Sequence, residues 1–478
     1  MSPESKMLKL SQLQGALSGS EAVKKRLDLL FDEGTFVELD SLAKVNESGS
    51  GVVTGYGYVE GTLVYAFAQD SAVASGALGR VHAAKIKKIY ELAAKTGCPV
   101  VAMYDSNGVR IDEGNEALSA YGELLACQNN LSGVVPQIAV VTGVCAGCSA
   151  MLCCGADYVV MGKDAQLFMT APFTAKAKGD HTPGAGTADN AAKSGVAHIV
   201  ADNEEDVMAA VKELVSFLPS NNLSMVPVFE YAENPEGPGK LTAAYGNLDG
   251  VSGAELTAAI ADQDSVLELQ SQFGSSYTAL ARVQGSTVGF AYANGALSSA
   301  DCAKLARFAR TCDAFAIPVV TMLNTEGFVP SAAAELAGSI RESAQLAHAY
   351  AEATCPKIGL ILGKAVGPAY IALAGKGANA DAAIAWPGAV ISPLPSETAV
   401  EFLWHDKLAG SGDLAADRAA LVEEYNDTLA SAFTAAADGV VDMVIDPAAT
   451  RAQLINTLEM LAGKRVSSLP KKHSNMPL

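Results

Sequence analysis

The chain has 478 residues, of which 50% are hydrophobic and 18% charged, enough apolar material for two or three cores. With 52 acidic and 33 basic residues its net charge is −19, which excludes broad binding to nucleic acid or anionic lipid, because neutralising phosphate needs surplus Lys and Arg. Nine cysteines, an odd number, and an N-terminal MSPESKMLKL without signal-peptide character predict reduced thiols and a cytoplasmic protein.

Residues 1–30 read as helical, with Leu13, Leu17, Val23, Leu27 and Leu30 apolar. A helix over about 78–95 turns Ile86, Ile89 and Leu92 inward. A short buried strand over 100–104 then ends in a turn bearing Gly108. A helix over 116–128 follows, then a second buried strand over 138–142, a Gly-rich turn and another apolar helix. The charge-free stretch 124–156 is broken by Gln128, Asn129, Asn130, Pro136 and Gln137, and then by Gly143, Gly147 and Gly155. It reads as strand, turn and buried helix rather than a membrane span. Residues 220–240 are rich in Pro, Gly and Asn and mark a domain boundary. Beyond them the pattern recurs: a helix over 301–315 with Leu305, Phe308, Cys312 and Phe315 at helical spacing, a strand over 319–323, a helix over 332–353 and a strand over 358–362. The tail from Lys464 reads as frayed.

The recurrence is also one of sequence. Pro99, Val100, Val101, Met103 and Gly108 return 219 positions later as Pro318, Val319, Val320, Met322 and Gly327. Pro136, Ile138, Gly143 and Gly147 return at an offset of 220 as Pro356, Ile358, Gly363 and Gly367. Two matches at nearly one offset predict two copies of one α/β fold, over 1–230 and 231–478. Apolar strands alternating with helices predict a parallel sheet covered on both faces.

Turns after such strands lie at the carboxyl edge of the sheet, where ligands bind. A glycine there leaves backbone N–H groups accessible, and two of them aimed at one point form an oxyanion hole. In the first copy the donors would come from Asn107–Gly108–Val109 and Gly147–Cys148–Ser149. In the second they would come from Gly327–Phe328 and Gly367–Pro368–Ala369. Taken alone, these glycines serve packing and turn geometry equally well. Other chemistries are less legible. The six histidines (82, 181, 198, 348, 405 and 473) are scattered, and no G-x-S-x-G elbow, Walker A or dinucleotide fingerprint appears. Cys145 and Cys148, with Cys153 and Cys154, read as small core residues rather than a metal knuckle. Arg80 and Lys85 are within reach of an anionic ligand or belong to a solvated helix face.

The segments SGALGRVHAAKI (75–86), DSNGVRIDEG (105–114), VCAGCSAM (144–151), ARFARTCDAFAIPVVTMLNTEGFVP (306–330) and HAYAEATCPKIGLILGKAVGPAY (348–370) resemble the carboxyltransferase subunits of biotin-dependent acyl-CoA carboxylases and sodium-pumping acyl-CoA decarboxylases. The resemblance implies two tandem crotonase-like (ClpP-like) domains and a trimer of dimers. It implies an acyl-CoA site in the first domain, with oxyanion donors near Gly108, Val109, Cys148 and Ser149 and further substrate contacts at Ala146, Gly147 and Arg80. It implies a site in the second domain for biotin borne on a separate carrier protein, at Glu326, Gly327, Phe328, Gly367, Pro368 and Ala369, and no metal. A biotin carboxylase or a membrane decarboxylase subunit would be a further partner.

The chain also departs from the family's pattern. Gly-Gly-Ala of the second domain reads Gly367-Pro368-Ala369, which removes one N–H. Val-Pro-Gly-Phe reads Thr325-Glu326-Gly327-Phe328, which sets a carboxylate beside the expected biotin pocket. These changes leave two alternatives to a carboxyltransferase, a non-catalytic scaffold subunit and a biotin-independent crotonase-type hydratase or hydrolase.

Overall fold

The computed structural model describes residues 2–45, 48–378, 380–410, 412–467 and 469–477. The chain divides into two compact units, residues 1–227 and 228–478. Each carries one eight-stranded sheet among the described residues.

In the first unit the order along the sheet is Val37–Leu39, Val52–Val59, Thr62–Gln69, Val100–Ser106, Gln137–Ala146, Tyr158–Gly162 and Ile199–Ala201, with Gln166–Phe168 pairing beside Gln137–Ala146. The first two junctions are antiparallel and the rest parallel. In the second unit the order is Val266–Leu269, Tyr277–Val283, Ser286–Leu297, Val319–Phe328, Lys357–Val366, Ala382–Ala385 and Met443–Val444. There Val390–Ser392 pairs beside Lys357–Val366. Again two antiparallel junctions precede parallel ones. The duplicated sequence thus builds a duplicated topology. Parallel pairing buries both faces, so all seven residues of Val100–Ser106 are buried.

The helices match the apolar periodicity. Ile86 and Ile89 of Arg80–Thr96 are buried, and so are Leu305, Phe308 and Cys312 of Ser299–Ala314. Both central strands run further than their apolar cores suggested, through Ser106 and Phe328, because the turn residues themselves stay in register with a neighbour. The long helix expected over 332–353 is broken into Ala332–Leu336 and Ser339–Glu352 at Gly338, whose φ is +105°. The C-terminal tail is tied rather than frayed. Lys464 Nζ donates to the Cys355 carbonyl and to Asp381 at 2.8 Å, and Lys471 pairs with Glu352 at 2.5 Å. Among the described residues no helix is long and apolar enough to cross a membrane.

Candidate active site

Each unit ends two adjacent parallel strands in glycine turns, and the two units do so with the same backbone. Gly108 and Gly327 both have φ of +105°. Gly147 and Gly367 have φ of +59° and +57°. A side chain at any of the four would strain this conformation. Within each unit the two turns lie against one another. A Cβ on Gly108 would stand 3.5 Å from the Ala146 carbonyl oxygen, and one on Gly327 would stand 3.8 Å from that of Val366.

A polar side chain under the turns sets this approach. The strand register skips one residue in each unit, between Tyr104 and Ser106 and between Leu323 and Thr325. The skipped residues are Asp105 and Asn324, 219 positions apart. Each accepts the first amide beyond the glycine on the facing strand: Val144 N–H donates to Asp105 Oδ1 (3.3 Å), and Lys364 N–H to Asn324 Oδ1 (3.0 Å). A Cβ on Gly143 or Gly363 would fall 2.1 or 2.4 Å from those oxygens, so both positions require glycine. In the first unit Asp105 carries a further load. Arg26 Nη1 lies 3.0 Å away, Ser71 donates to it at 2.9 Å, and Arg26 Nε also reaches Glu204 at 2.8 Å.

Accounting for each amide narrows the donor set. The Gly108 N–H is spent on Ser106 Oγ (3.1 Å) and the Gly327 N–H on Thr325 Oγ1 (3.2 Å). The next residue differs. Leu78 donates to the Gly108 carbonyl and accepts from Arg110, so the Val109 amide between them faces away and takes no partner among the described residues. Leu297, 219 positions after Leu78, pairs with Phe328 and accepts from Val329, so the Phe328 amide faces away likewise. At the second turn the Gly147 N–H donates to the Phe168 carbonyl (2.9 Å). Cys148 and Ser149 then open a short helix, where first-turn amides lack helical partners, and no side chain caps them. In the second unit Pro368 has no N–H, and Ala369 brings the remaining amide at the start of an uncapped helix. Among the described residues the amides left without a backbone partner are therefore Val109 and Ser149 in the first unit and Phe328 and Ala369 in the second, with Ser149 and Ala369 fully buried. The first unit adds Cys148.

The remaining predicted residues are more peripheral. Arg80 is exposed, opens its helix two residues beyond Leu78, and pairs with Glu116 at 3.5 Å. It lines a groove of about 310 Å³ between the helices Arg80–Thr96 and Asn115–Leu131, together with Lys87, Lys88 and three glutamates. Glu326 is exposed at the carboxyl edge of the second sheet and pairs with Lys364 at 2.8 Å. Lys85 is neither a ligand contact nor on a solvated face. It is buried, and its ammonium donates to the Val52 carbonyl at 2.8 Å. Its counterpart Lys304 donates to the Gln270 and Ser276 carbonyls, and burial pushes its pKa down to about 8. Sequence reasoning missed Lys304, Asp105 with Asn324, and Lys364. Extending the 219-residue offset beyond the apolar strands would have paired Lys85 with Lys304 and Asp105 with Asn324. Cys145 and Cys153 meet as buried, hydrogen-bonded thiols, which with burial push the Cys153 thiol well up.

Known proteins share this architecture over its full length. The chain is 39% identical over 501 residues to the propionyl-CoA carboxylase beta chain of Saccharopolyspora erythraea, covering 96% of this chain and 91% of that one. It is 38% identical over 487 residues to the methylmalonyl-CoA decarboxylase subunit alpha of Veillonella parvula, covering 96% and 94%. Among solved structures, the transcarboxylase 12S hexamer with hydrolysed methylmalonyl-coenzyme A bound superposes with a TM-score of 0.91 at 34% identity, covering 99% of this chain and 98% of that one. The fold is accordingly crotonase-like in both units. These relatives are named as enzymes or enzyme subunits, which favours the catalytic reading over a scaffold or a hydratase. Residues 16–476 match the carboxyl transferase domain, and the chain belongs to the carboxyl transferase family, that of the carboxyltransferase subunits of biotin-dependent acyl-CoA carboxylases and decarboxylases.

Proposed function

We propose that this chain moves carboxylate between a short acyl-CoA and biotin borne on a separate carrier protein, with acyl-CoA held by the first unit and biotin by the second. The acyl pair is propionyl-CoA and methylmalonyl-CoA. The relatives above are named for one or the other, and these two thioesters differ by the carboxylate that is moved. The observation that carries the reading is the doubled pair of glycine turns, each with an amide left without a backbone partner.

In the first unit the Val109 and Ser149 amides receive the thioester oxygen. That oxygen gains negative charge when the α-carbon becomes an enolate, so fixed N–H dipoles lower the barrier at the moment charge develops. Arg80, two residues beyond Leu78, and the groove it lines take the outer part of the CoA ester. In the second unit Phe328 and Ala369 receive the ureido oxygen, which leaves one donor per turn despite Pro368. The fit to biotin therefore rests on two amides rather than three. Biotin supplies a ureido nitrogen that carries the carboxylate. The Glu326–Lys364 pair at this edge presents a cation to an arriving carboxylate without net positive charge. Catalysis here is positioning and electrostatics with no covalent intermediate on the chain. The chain works with a biotin carrier and with either a biotin carboxylase or a membrane decarboxylase subunit, in a hexamer like that of the transcarboxylase core.

The test is a mass-spectrometric transfer assay. Purified chain is mixed with biocytin and malonyl-, methylmalonyl- or glutaconyl-CoA, with a control lacking biocytin. Loss of carboxylate from methylmalonyl-CoA only when biocytin is present is the expected result. Loss of carboxylate without biocytin would replace it with biotin-independent decarboxylation, release of free CoA with the carboxylate retained would replace it with a crotonase-type hydrolase, and no loss from any ester would reject transfer.

A further inference from the structure

The segment that lies against the first glycine turn is strained. Ala74, Ser75 and Gly76 follow one another with φ of +48°, +54° and +67°. Side chains disfavour this left-handed region, which suits glycine. Among the described residues Ala74 and Ser75 are the one case of two adjacent non-glycine residues that adopt it. Both are exposed, so packing of their side chains in the core does not hold the conformation. Bonds to the end of the strand Val100–Ser106 hold it instead. The Ser71 hydroxyl donates to Asp105 Oδ2 at 2.9 Å, and the Ser75 carbonyl accepts the Asn107 N–H at 3.1 Å. Gly76 presses on the same strand end, where a Cβ would collide with the Asp105 carbonyl oxygen. Two residues later Leu78 donates to the Gly108 carbonyl at 2.9 Å and accepts from Arg110 at 3.0 Å.

The second unit reaches the same place by a plainer route. Its strand Ser286–Leu297 runs on through one bulge, at Gly295, whose φ of +66° falls on a glycine, and pairs Leu297 with Phe328. Tyr65 pairs with Val100 and Gly289 with Val319, which are matched positions of the repeat. Leu78 follows Tyr65 by thirteen positions, whereas Leu297 follows Gly289 by eight. The first unit thus carries five extra residues, and the left-handed turn absorbs them, so that Leu78 arrives opposite Val109 as Leu297 arrives opposite Phe328. Leu78 bonds the carbonyl before Val109 and the amide after it. Its register therefore leaves the Val109 amide over. A slip of one residue towards Gly108 would spend that amide on the Leu78 carbonyl.

We propose that Ser75 is a positioning residue, whose left-handed backbone sets the register of Leu78 on the first turn and keeps the Val109 amide available to the thioester oxygen. The proposal rests on the reading that this amide holds that oxygen. Strain of this kind persists where surrounding bonds over-determine it, as those to Asp105 and Asn107 do here. A displaced donor forfeits more with the charged enolate than with the neutral ester, so the loss falls on kcat rather than on KM.

The test compares Ser75→Val with Ser75→Gly in the full chain, with methylmalonyl-CoA and biocytin. Position 75 is exposed, so neither change reaches the core. A β-branched residue is an outlier at this φ, whereas glycine adopts it freely. Ser75→Val is expected to lower kcat about tenfold or more, with KM for the CoA ester within about twofold. Ser75→Gly is expected to keep kcat within about twofold of wild type. Ala74→Val, equally exposed, is expected to behave as Ser75→Val. Hydrogen exchange of the Leu78, Asn107 and Arg110 amides is expected to quicken in both valine variants and not in Ser75→Gly. Wild-type kcat in the valine variants, an equal loss in Ser75→Gly, or unchanged exchange in the valine variants overturns the proposal. Absence of transfer by the unmodified chain overturns the site reading and with it the catalytic role, and exchange at the same three amides then decides whether the turn sets the register.

Discussion

Cys148 and Pro368 occupy the same place in the two units, one position beyond Gly147 and Gly367, and only Cys148 carries an amide hydrogen. Ser149 keeps its amide, whereas Pro368, one position earlier in its own turn, has none to offer. Proline is tolerated in the first helical turn, so at position 149 it removes the amide donor together with the hydroxyl that meets Tyr121. Ser149→Pro is therefore expected to leave a folded chain and cost ~100-fold or more in transfer rate. A rate within a few-fold of wild type, with unchanged circular dichroism, would remove Ser149 from the donor set. Pro368→Gly is expected to raise the rate no more than about threefold, because Phe328 and Ala369 already supply one amide per turn. A gain of ~100-fold would mean that the second site lacks a donor it needs. Gly108 shows how residue identity and residue role diverge. The glycine is required by its φ of +105°, but its own N–H is turned inward onto Ser106, and the amide left without a backbone partner belongs to Val109.

At the scale of elements, the turns are held by groups far away in sequence. Arg26, in the helix Glu21–Leu30, reaches Asp105 at the end of a central strand and Glu204 at the start of the helix Glu204–Phe217. Both Arg26 and Asp105 are largely buried, so removing one charge strands the other. Arg26→Met is expected to cost about 3 kcal/mol in urea unfolding and to lower turnover, because Asp105 also holds the Val144 amide beside the second turn. Unchanged stability would show that Ser71 and Val144 suffice to hold the carboxylate. None of this was legible in the sequence. Arg26 stands 79 positions from Asp105, and an arginine in an amphipathic helix reads as a solvated residue until the fold brings a carboxylate to it. The helices and strands themselves were legible, because their apolar spacing is a local property. The exception was the break at Gly338, where apolar periodicity continued across a glycine that the backbone uses to turn.

For the whole molecule, acidity offers a test of the buried interior. His82 is buried beside Gln69, and burial, with the Lys85 and Arg110 charges, pushes its pKa from 6.5 down to about 3. Between those values the unfolded chain binds a proton that the folded chain refuses, so stability falls as pH drops below 6.5 and rises again on return. Near pH 4 this contribution has cost about 3 kcal/mol. The difference in unfolding free energy between wild type and His82→Gln is expected to shift by that amount between pH 7 and pH 4. A pH-independent difference would mean that His82 is protonated in the folded chain.

The sequence by itself determined the duplication, the alternation of buried strands and helices, the glycine turns at both sheet edges and the family. Each of these is written in residues close together, or in a repeat at one offset, and survives reading along the chain. Only the tertiary structure decided which turn amides are spent on side chains and carbonyls, what Asp105 and Asn324 hold, and that the Tyr121 hydroxyl meets that of Ser149. Those outcomes depend on where hydrogen-bond partners from distant segments arrive. Folding brings them there, and no local spacing records it.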